Sequence, residues 1–181
     1  MPDATEWYAR AARRAIDVMA AVPDERWGDP TPCQEWTVQD LADHLAAGAE
    51  YLSAACNGTQ PREVTGTTAA RYRVAVDECL AALREPGVLE RACVSPLGFE
   101  WTVADAAAGI FMDTLVHTWD LARATGQDSN LDPALVEACV ATFLPHMPEM
   151  GRQSGLVGAA VDVGPGASAQ DRLLGAMGRT P

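Results

Sequence analysis

The sequence contains no lysine: its 13 basic side chains are all arginine, set against 25 acids, for a formal net charge of -12. Such a chain lacks the broad cationic face that a nucleic acid or an anionic membrane selects, so neither is expected as its main partner. Aromatic residues make up only 6% of the chain, and its 48% hydrophobic share is dominated by Ala and Leu, which suits close-packed helices better than sheets. No apolar run approaches the roughly 20 residues that span a bilayer. The N-terminal Met-Pro-Asp-Ala-Thr-Glu has no basic stretch leading into an apolar one, so no secretory leader is expected. The five cysteines (Cys33, Cys56, Cys79, Cys93 and Cys139) are odd in number and lack Cys-x-x-Cys spacing, which argues against a disulfide scaffold or a zinc finger. A reduced, cytoplasmic location follows as the expectation. At 181 residues, one domain over 1–181 is expected.

What is present is helical punctuation. Over 5–22, Trp7, Tyr8, Ala11, Ala15, Val18 and Met19 fall on one side and arginines on the other, which predicts an amphipathic helix ended by Pro23. A structured loop over 23–36, with Pro30, Pro32 and Cys33, leads to Thr37. That threonine is placed to cap a second helix over 38–56, with Asp40 three residues on to meet the free amides. A third helix is predicted over 67–85. Residues 88–101 are the one extended stretch, read as an irregular crossover or small hairpin rather than a sheet.

The start of the fourth helix repeats that of the second. Glu100-Trp-Thr-Val-Ala-Asp105 matches Glu35-Trp-Thr-Val-Gln-Asp40 at five of six positions, 65 residues apart, so one capping device begins both helices. The fourth helix is predicted to run to Thr125 and stop at Gly126. Asp132-Pro133 opens a fifth helix reaching 144, and 145–170 reads as an irregular wrap over the mouth of the bundle. A short helix over 169–177 closes the chain.

The chemistry lies on the fourth helix. Ile110, Asp113, His117, Leu121 and Ala124 recur at helical spacing, predicting a core-facing stripe that carries a carboxylate and an imidazole. Buried groups of this kind need a hydrogen-bonding partner or a metal ion. Asp113 and His117, one turn apart, can reach one ion. His44 on the second helix would complete a two-histidine, one-carboxylate set with an open coordination position. Spacing alone leaves direct Asp113–His117 pairing equally open. Asp120, three residues after His117, is read as support for an imidazole, a further ligand or the partner of an arginine. Cys33 has no basic neighbour in sequence and is read as a packed loop cysteine. His146 is read as exposed or structural, and Trp36, Trp101 and Trp119 as anchors of helix ends.

Three segments together carry a resemblance: Pro-Thr-Pro-Cys-Gln-Glu-Trp-Thr-Val-Gln-Asp-Leu-Ala-Asp-His-Leu (30–45), Asp-Thr-Leu-Val-His-Thr-Trp-Asp-Leu-Ala-Arg-Ala-Thr-Gly (113–126) and Ala-Ser-Ala-Gln-Asp-Arg-Leu-Leu-Gly-Ala-Met-Gly-Arg (167–179). The chain resembles the DinB-like metal-binding bundles, in the actinobacterial branch related to the N-terminal domain of mycothiol-dependent maleylpyruvate isomerase. The resemblance implies a four-helix bundle, and with the short C-terminal helices and irregular C-terminal wrap read above, the expectation is an all-α fold. It also implies a divalent metal, zinc first and nickel as the alternative, held at the positions of His44, Asp113 and His117; Asp120, by its place three residues after His117, is read as support behind them. The implied chemistry is activation of mycothiol or another low-molecular-weight thiol for transfer to a small electrophile or for isomerisation. The isomerase carboxylate is Glu, so Asp113 is one methylene shorter, and the isomerase continues into a further domain. A non-catalytic metal-binding or stress-associated bundle, and a metal-free interaction bundle, stand as the other readings. A homodimer is compatible with each.

Overall fold

The computed structural model describes residues 4–62, 65–153 and 155–181; residues 63 and 64, between the second and third expected helices, and residue 154 of the expected wrap lie outside them. Four long helices dominate: α1 (Ala4–Ala20), α2 (Val38–Asn57), α3 (Thr68–Ala82) and α4 (Val103–Thr125). Helix α1 packs on α4 and α3, and α2 on α3 and α4, so the four close into a bundle with α2 and α4 side by side. One continuous hydrophobic cluster fills it, with Tyr8, Met19, Leu41, Leu52, Tyr72 and Phe111 among its fully buried members. Among the described residues no helix is long and apolar enough to cross a membrane.

The repeated capping motif acts alike in both copies. The Thr37 hydroxyl accepts from the Asp40 amide while the Asp40 carboxylate accepts from the Thr37 amide, and Thr102 and Asp105 reproduce the pair at the start of α4. Each box satisfies amides that would otherwise lack partners at a helix start. Both helices end on a glycine in the left-handed region, Gly58 at φ 64° and Gly126 at φ 70°. In that conformation the glycine amide reaches back to the last-turn carbonyls without a Cβ penalty.

The structure refines or overturns the sequence reading in three places. First, of the two forms expected for the stretch before α4 it takes the small hairpin, two-stranded and antiparallel, with β1 (Ala92–Val94) against β2 (Glu100–Thr102) and Cys93 opposite Trp101. The Ser95 amide donates to the Phe99 carbonyl and the Gly98 amide to the Ser95 carbonyl, closing the turn. Second, the predicted irregular wrap contains a helix, α6 (Met147–Gln153), between α5 (Pro133–Thr142) and α7 (Ala169–Ala176). Pro148 does not forbid it, because a first-turn residue has no intrahelical partner for its missing N–H. Third, of the stripe Ile110, Asp113, His117, Leu121 and Ala124 only Leu121 faces the core. The other four are only partly buried, while Phe111, Leu115 and Trp119 turn inward with Leu121. The stripe lies along the seam between α4 and α2, which opens it to a ligand.

Candidate metal centre

The loop over 23–36 is tied down at both ends. Arg26 donates to the Ala124 carbonyl at the end of α4 and pairs with Asp29, while a bridge joins Pro30 to Thr37. Within it the Thr31 hydroxyl oxygen accepts from the Cys33 amide at 3.1 Å, and the Thr31 amide donates to the Trp36 carbonyl at 3.0 Å. Glu35 takes φ 69°, a left-handed conformation costly for a residue with a Cβ. This tight turn brings Cys33 and Trp36 to the α2–α4 seam.

At that seam the three sequence candidates meet. His44 Nε2 lies 3.0 and 3.2 Å from the two carboxylate oxygens of Asp113, and His117 Nε2 lies 3.3 Å from one of them. One donor atom from each of the three falls within 4.8 Å of the other two. Ligands about 2.1 Å from a tetrahedral ion are about 3.4 Å apart, so these separations fit a shared ion with little movement. His44 and Asp113 are partly open to solvent, at 37% and 29% side-chain exposure, against 12% for His117. A ligand can therefore approach from the side of His44. Trp36 packs over both imidazoles, its ring 4.9 Å from that of His44 and 5.8 Å from that of His117.

Behind His117 sits a second layer. Its Nδ1 donates at 2.9 Å to Asp120, whose side chain has no solvent exposure. Asp120 also accepts from Arg179, at 3.2 Å from Nε and 2.7 Å from Nη2. The Cys33 thiol lies 3.3 Å from Asp120 Oδ2, 3.6 Å from His117 Nδ1 and 3.0 Å from Arg179 Nη2. Cys33, His117 and Asp120 form a second group with ligand-like spacing. A cation is disfavoured there because the guanidinium of Arg179 already touches both the thiol and the carboxylate.

The charges follow from these contacts. Burial works to raise the Asp113 carboxyl, but His117 and His44 beside it hold it well below the usual carboxylate range. Burial alone would lower His117, and its pairing with Asp113, with further hydrogen bonds to Asp120 and Cys33, raises it well above the usual imidazole range. Asp120 is lowered against its burial by His117 and Arg179, and Arg179 is raised against its own burial by Asp120. Without a metal the site is an alternation of carboxylates and cations.

A family model described as the mycothiol maleylpyruvate isomerase N-terminal domain matches residues 8–122. The chain belongs to that family. The matched span takes in most of α1, all of α2 and α3, the hairpin and nearly all of α4, with His44, Asp113, His117 and Asp120. Uncharacterized proteins from two strains of Mycobacterium tuberculosis, CDC 1551 / Oshkosh and H37Rv, are each 37% identical over 138 residues, covering 69% of this chain and 71% of theirs. No solved structure matches the chain. The helical architecture expected of the isomerase-domain family is the one observed, with short helices following the bundle.

Sequence reasoning missed two members of the layer behind His117. Cys33, read as having no basic partner, is within contact of both Arg179 and His117. Those partners are 146 and 84 residues away along the chain, beyond the reach of local spacing. Arg179 itself lies in the third of the resembling segments, which was the only signal for it. The 145–170 segment packs instead on α7, where the Val161 amide donates to the Gly175 carbonyl. His146 is exposed.

Proposed function

We propose that the chain binds a divalent metal through His44, Asp113 and His117, zinc first and nickel as the alternative. On this reading it acts as a metal-dependent thiol transferase or isomerase with mycothiol or another low-molecular-weight thiol as cosubstrate. The observation that carries the proposal is the division of labour on His117: Nε2 faces Asp113 and the His44 side of the seam, while Nδ1 is held by buried Asp120. An imidazole fixed in this way by a carboxylate is the arrangement in which histidines ligate metals. Membership of a family named for mycothiol supports the thiol.

A bound ion of this type lowers the pKa of a thiol or water at its open position. The protein's own part is to hold two imidazoles and a carboxylate on rigid helices, to cover one face of both imidazoles with Trp36, and to leave the His44 side open for the thiol and a small electrophile. Asp113, shorter than the isomerase Glu, sets a shorter reach from α4 and so a metal preference particular to this chain. One domain over 1–181 working in the cytoplasm completes the reading.

A rival reading is a metal-free bundle, favoured by the pairing of Asp113 with both imidazoles. Metal analysis of protein purified and then supplied with zinc separates the two. One equivalent in the wild type, lost in His44→Ala and His117→Ala, supports the centre, whereas a metal-free wild type removes it. Metal-dependent consumption of mycothiol with monochlorobimane supports the transferase half. A loaded protein with no turnover makes it a passive metal binder.

A further inference from the structure

The far end of the chain reaches back into this centre. Arg179 lies beyond α7, yet its side chain is only 10% exposed. Each nitrogen of its guanidinium is engaged: Nε and Nη2 with the two oxygens of Asp120, Nη2 also with Cys33 Sγ, and Nη1 with the Met177 carbonyl at 2.7 Å. Its backbone amide donates to the Leu174 carbonyl at 2.9 Å, which ties the residue to α7. Four of the five N–H donors of the guanidinium are therefore committed within the protein. Its two-point grip on a carboxylate fixes both the position and the plane of that group. The gripped carboxylate is the one that holds Nδ1 of His117.

We propose that Arg179 is a positioning residue of the metal centre. It sets the direction of the His117 ring through Asp120, so that the segment after α7 completes a site whose ligands all lie on α2 and α4. The affinity readout below rests on the ligation proposed above, and the resonance readout does not. Groups that support a ligand from behind, when removed, typically weaken metal binding by about 10- to 100-fold.

The test uses the full chain. In Arg179→Met, zinc affinity measured by competition with a chromophoric chelator should fall by about 10- to 100-fold. In the metal-free protein, the slowly exchanging downfield proton resonance of His117 Nδ1–H should disappear. Arg179→Lys keeps the charge and loses the two-point grip, so its affinity should fall between those of wild type and Arg179→Met. Because Arg179→Met leaves a buried carboxylate with one partner fewer, Asp120→Asn is measured alone and in combination with Arg179→Met, where both charges are removed together. The affinity of the double variant should be no lower than that of the weaker single variant, because both residues act through one chain of contacts. Wild-type affinity with a persistent resonance in Arg179→Met, or losses that multiply in the double variant, would overturn the proposal. If the wild type binds no zinc, the ligation reading fails on its own. The resonance then decides the role of Arg179: its loss in Arg179→Met supports the role, and its persistence overturns it.

Discussion

Nδ1 of His117 lies 2.9 Å from Oδ2 of Asp120, and that carboxylate is closed off from solvent. A buried carboxylate is tolerated only when cations and donors surround it, and here His117 and Arg179 do so. The pairing commits one nitrogen of His117 to the protein interior. It leaves the other directed at the α2–α4 seam, where Asp113 and His44 stand. The behaviour of the site with pH follows from this commitment.

Metal uptake should release protons. His117 is held protonated well above its ordinary range, with burial opposing and Asp113 the largest contributor among the groups that raise it. A ligand nitrogen must be free of its proton, so an ion taking Nε2 displaces about one proton from His117. Zinc affinity should therefore rise with pH through the neutral range. Calorimetry in buffers of different ionisation enthalpy should show the release in the wild type and its loss in His117→Gln. Buffer-independent heats in the wild type would contradict the assignment of His117.

Stability of the metal-free protein should vary with pH in two opposite senses. Asp113 and Asp120 have folded values below their unfolded ones, so their contributions are present above about pH 4 and fade as pH falls through the folded values. His117 is raised, so its contribution is full below about pH 6.5 and fades as pH rises through its folded value. Thermal melts of the metal-free chain should be highest between about pH 4 and 6.5. Loading with zinc should move that maximum upward, because the ion replaces the proton on the alkaline side.

Much of this is legible in the sequence, for physical reasons that differ by residue. Helices α2 and α4 begin and end where Thr37, Thr102, Gly58 and Gly126 predict, because caps are local devices written in a few adjacent residues. His44, Asp113 and His117 could be named from helical spacing and resemblance, and the seam brings them together. The orientation of the stripe was misread because Asp113 and His117 interrupt an apolar pattern whose inward members, Phe111 and Leu115, lie on a neighbouring face. Helix α6 was hidden by the proline in its first turn. The contacts of Cys33 with His117 and Arg179 depend on how the 23–36 loop and the C-terminal segment fold onto the bundle, which no local pattern encodes.

Removing a cap should be felt first in global stability. Thr37→Ala or Thr102→Ala leaves the helix-start amides of α2 or α4 without the hydroxyl acceptor, at about 1 kcal/mol each. Urea denaturation should show lower midpoints with an unchanged slope. Between the two, Thr37→Ala should also slightly weaken zinc binding, since the turn carrying Cys33 and Trp36 runs directly into that cap.

Trp36 should report directly on the centre. With its ring 4.9 Å from His44 and 5.8 Å from His117, it is close enough for a paramagnetic ion such as cobalt at those ligands to quench its fluorescence. Trp36→Phe should remove a larger part of the cobalt-induced quenching than Trp101→Phe, because Trp101 packs instead near Gly109 and Tyr51 on the hairpin side. Equal quenching in the two variants would place the ion elsewhere.

Gly175 offers a way to disturb the centre from a residue that touches none of its ligands. A Cβ at this buried position of α7 would stand 2.8 Å from the Val161 carbonyl oxygen and 2.7 Å from Val163 Cγ1. The carbonyl cannot turn aside without straining the segment whose Val161 amide donates to the Gly175 carbonyl at 2.9 Å. Gly175→Ala should therefore push α7 away from its neighbours, at about 1–3 kcal/mol, as overpacking of a filled interior costs. Because the Arg179 amide is bonded to the Leu174 carbonyl of the same helix, the shift should loosen the grip on Asp120 as well. Zinc affinity and thermal midpoint should fall together in Gly175→Ala. Gly158→Ala, where a Cβ meets nothing within 4 Å, should change neither. A destabilised Gly175→Ala protein with wild-type affinity would show that α7 transmits nothing to His117.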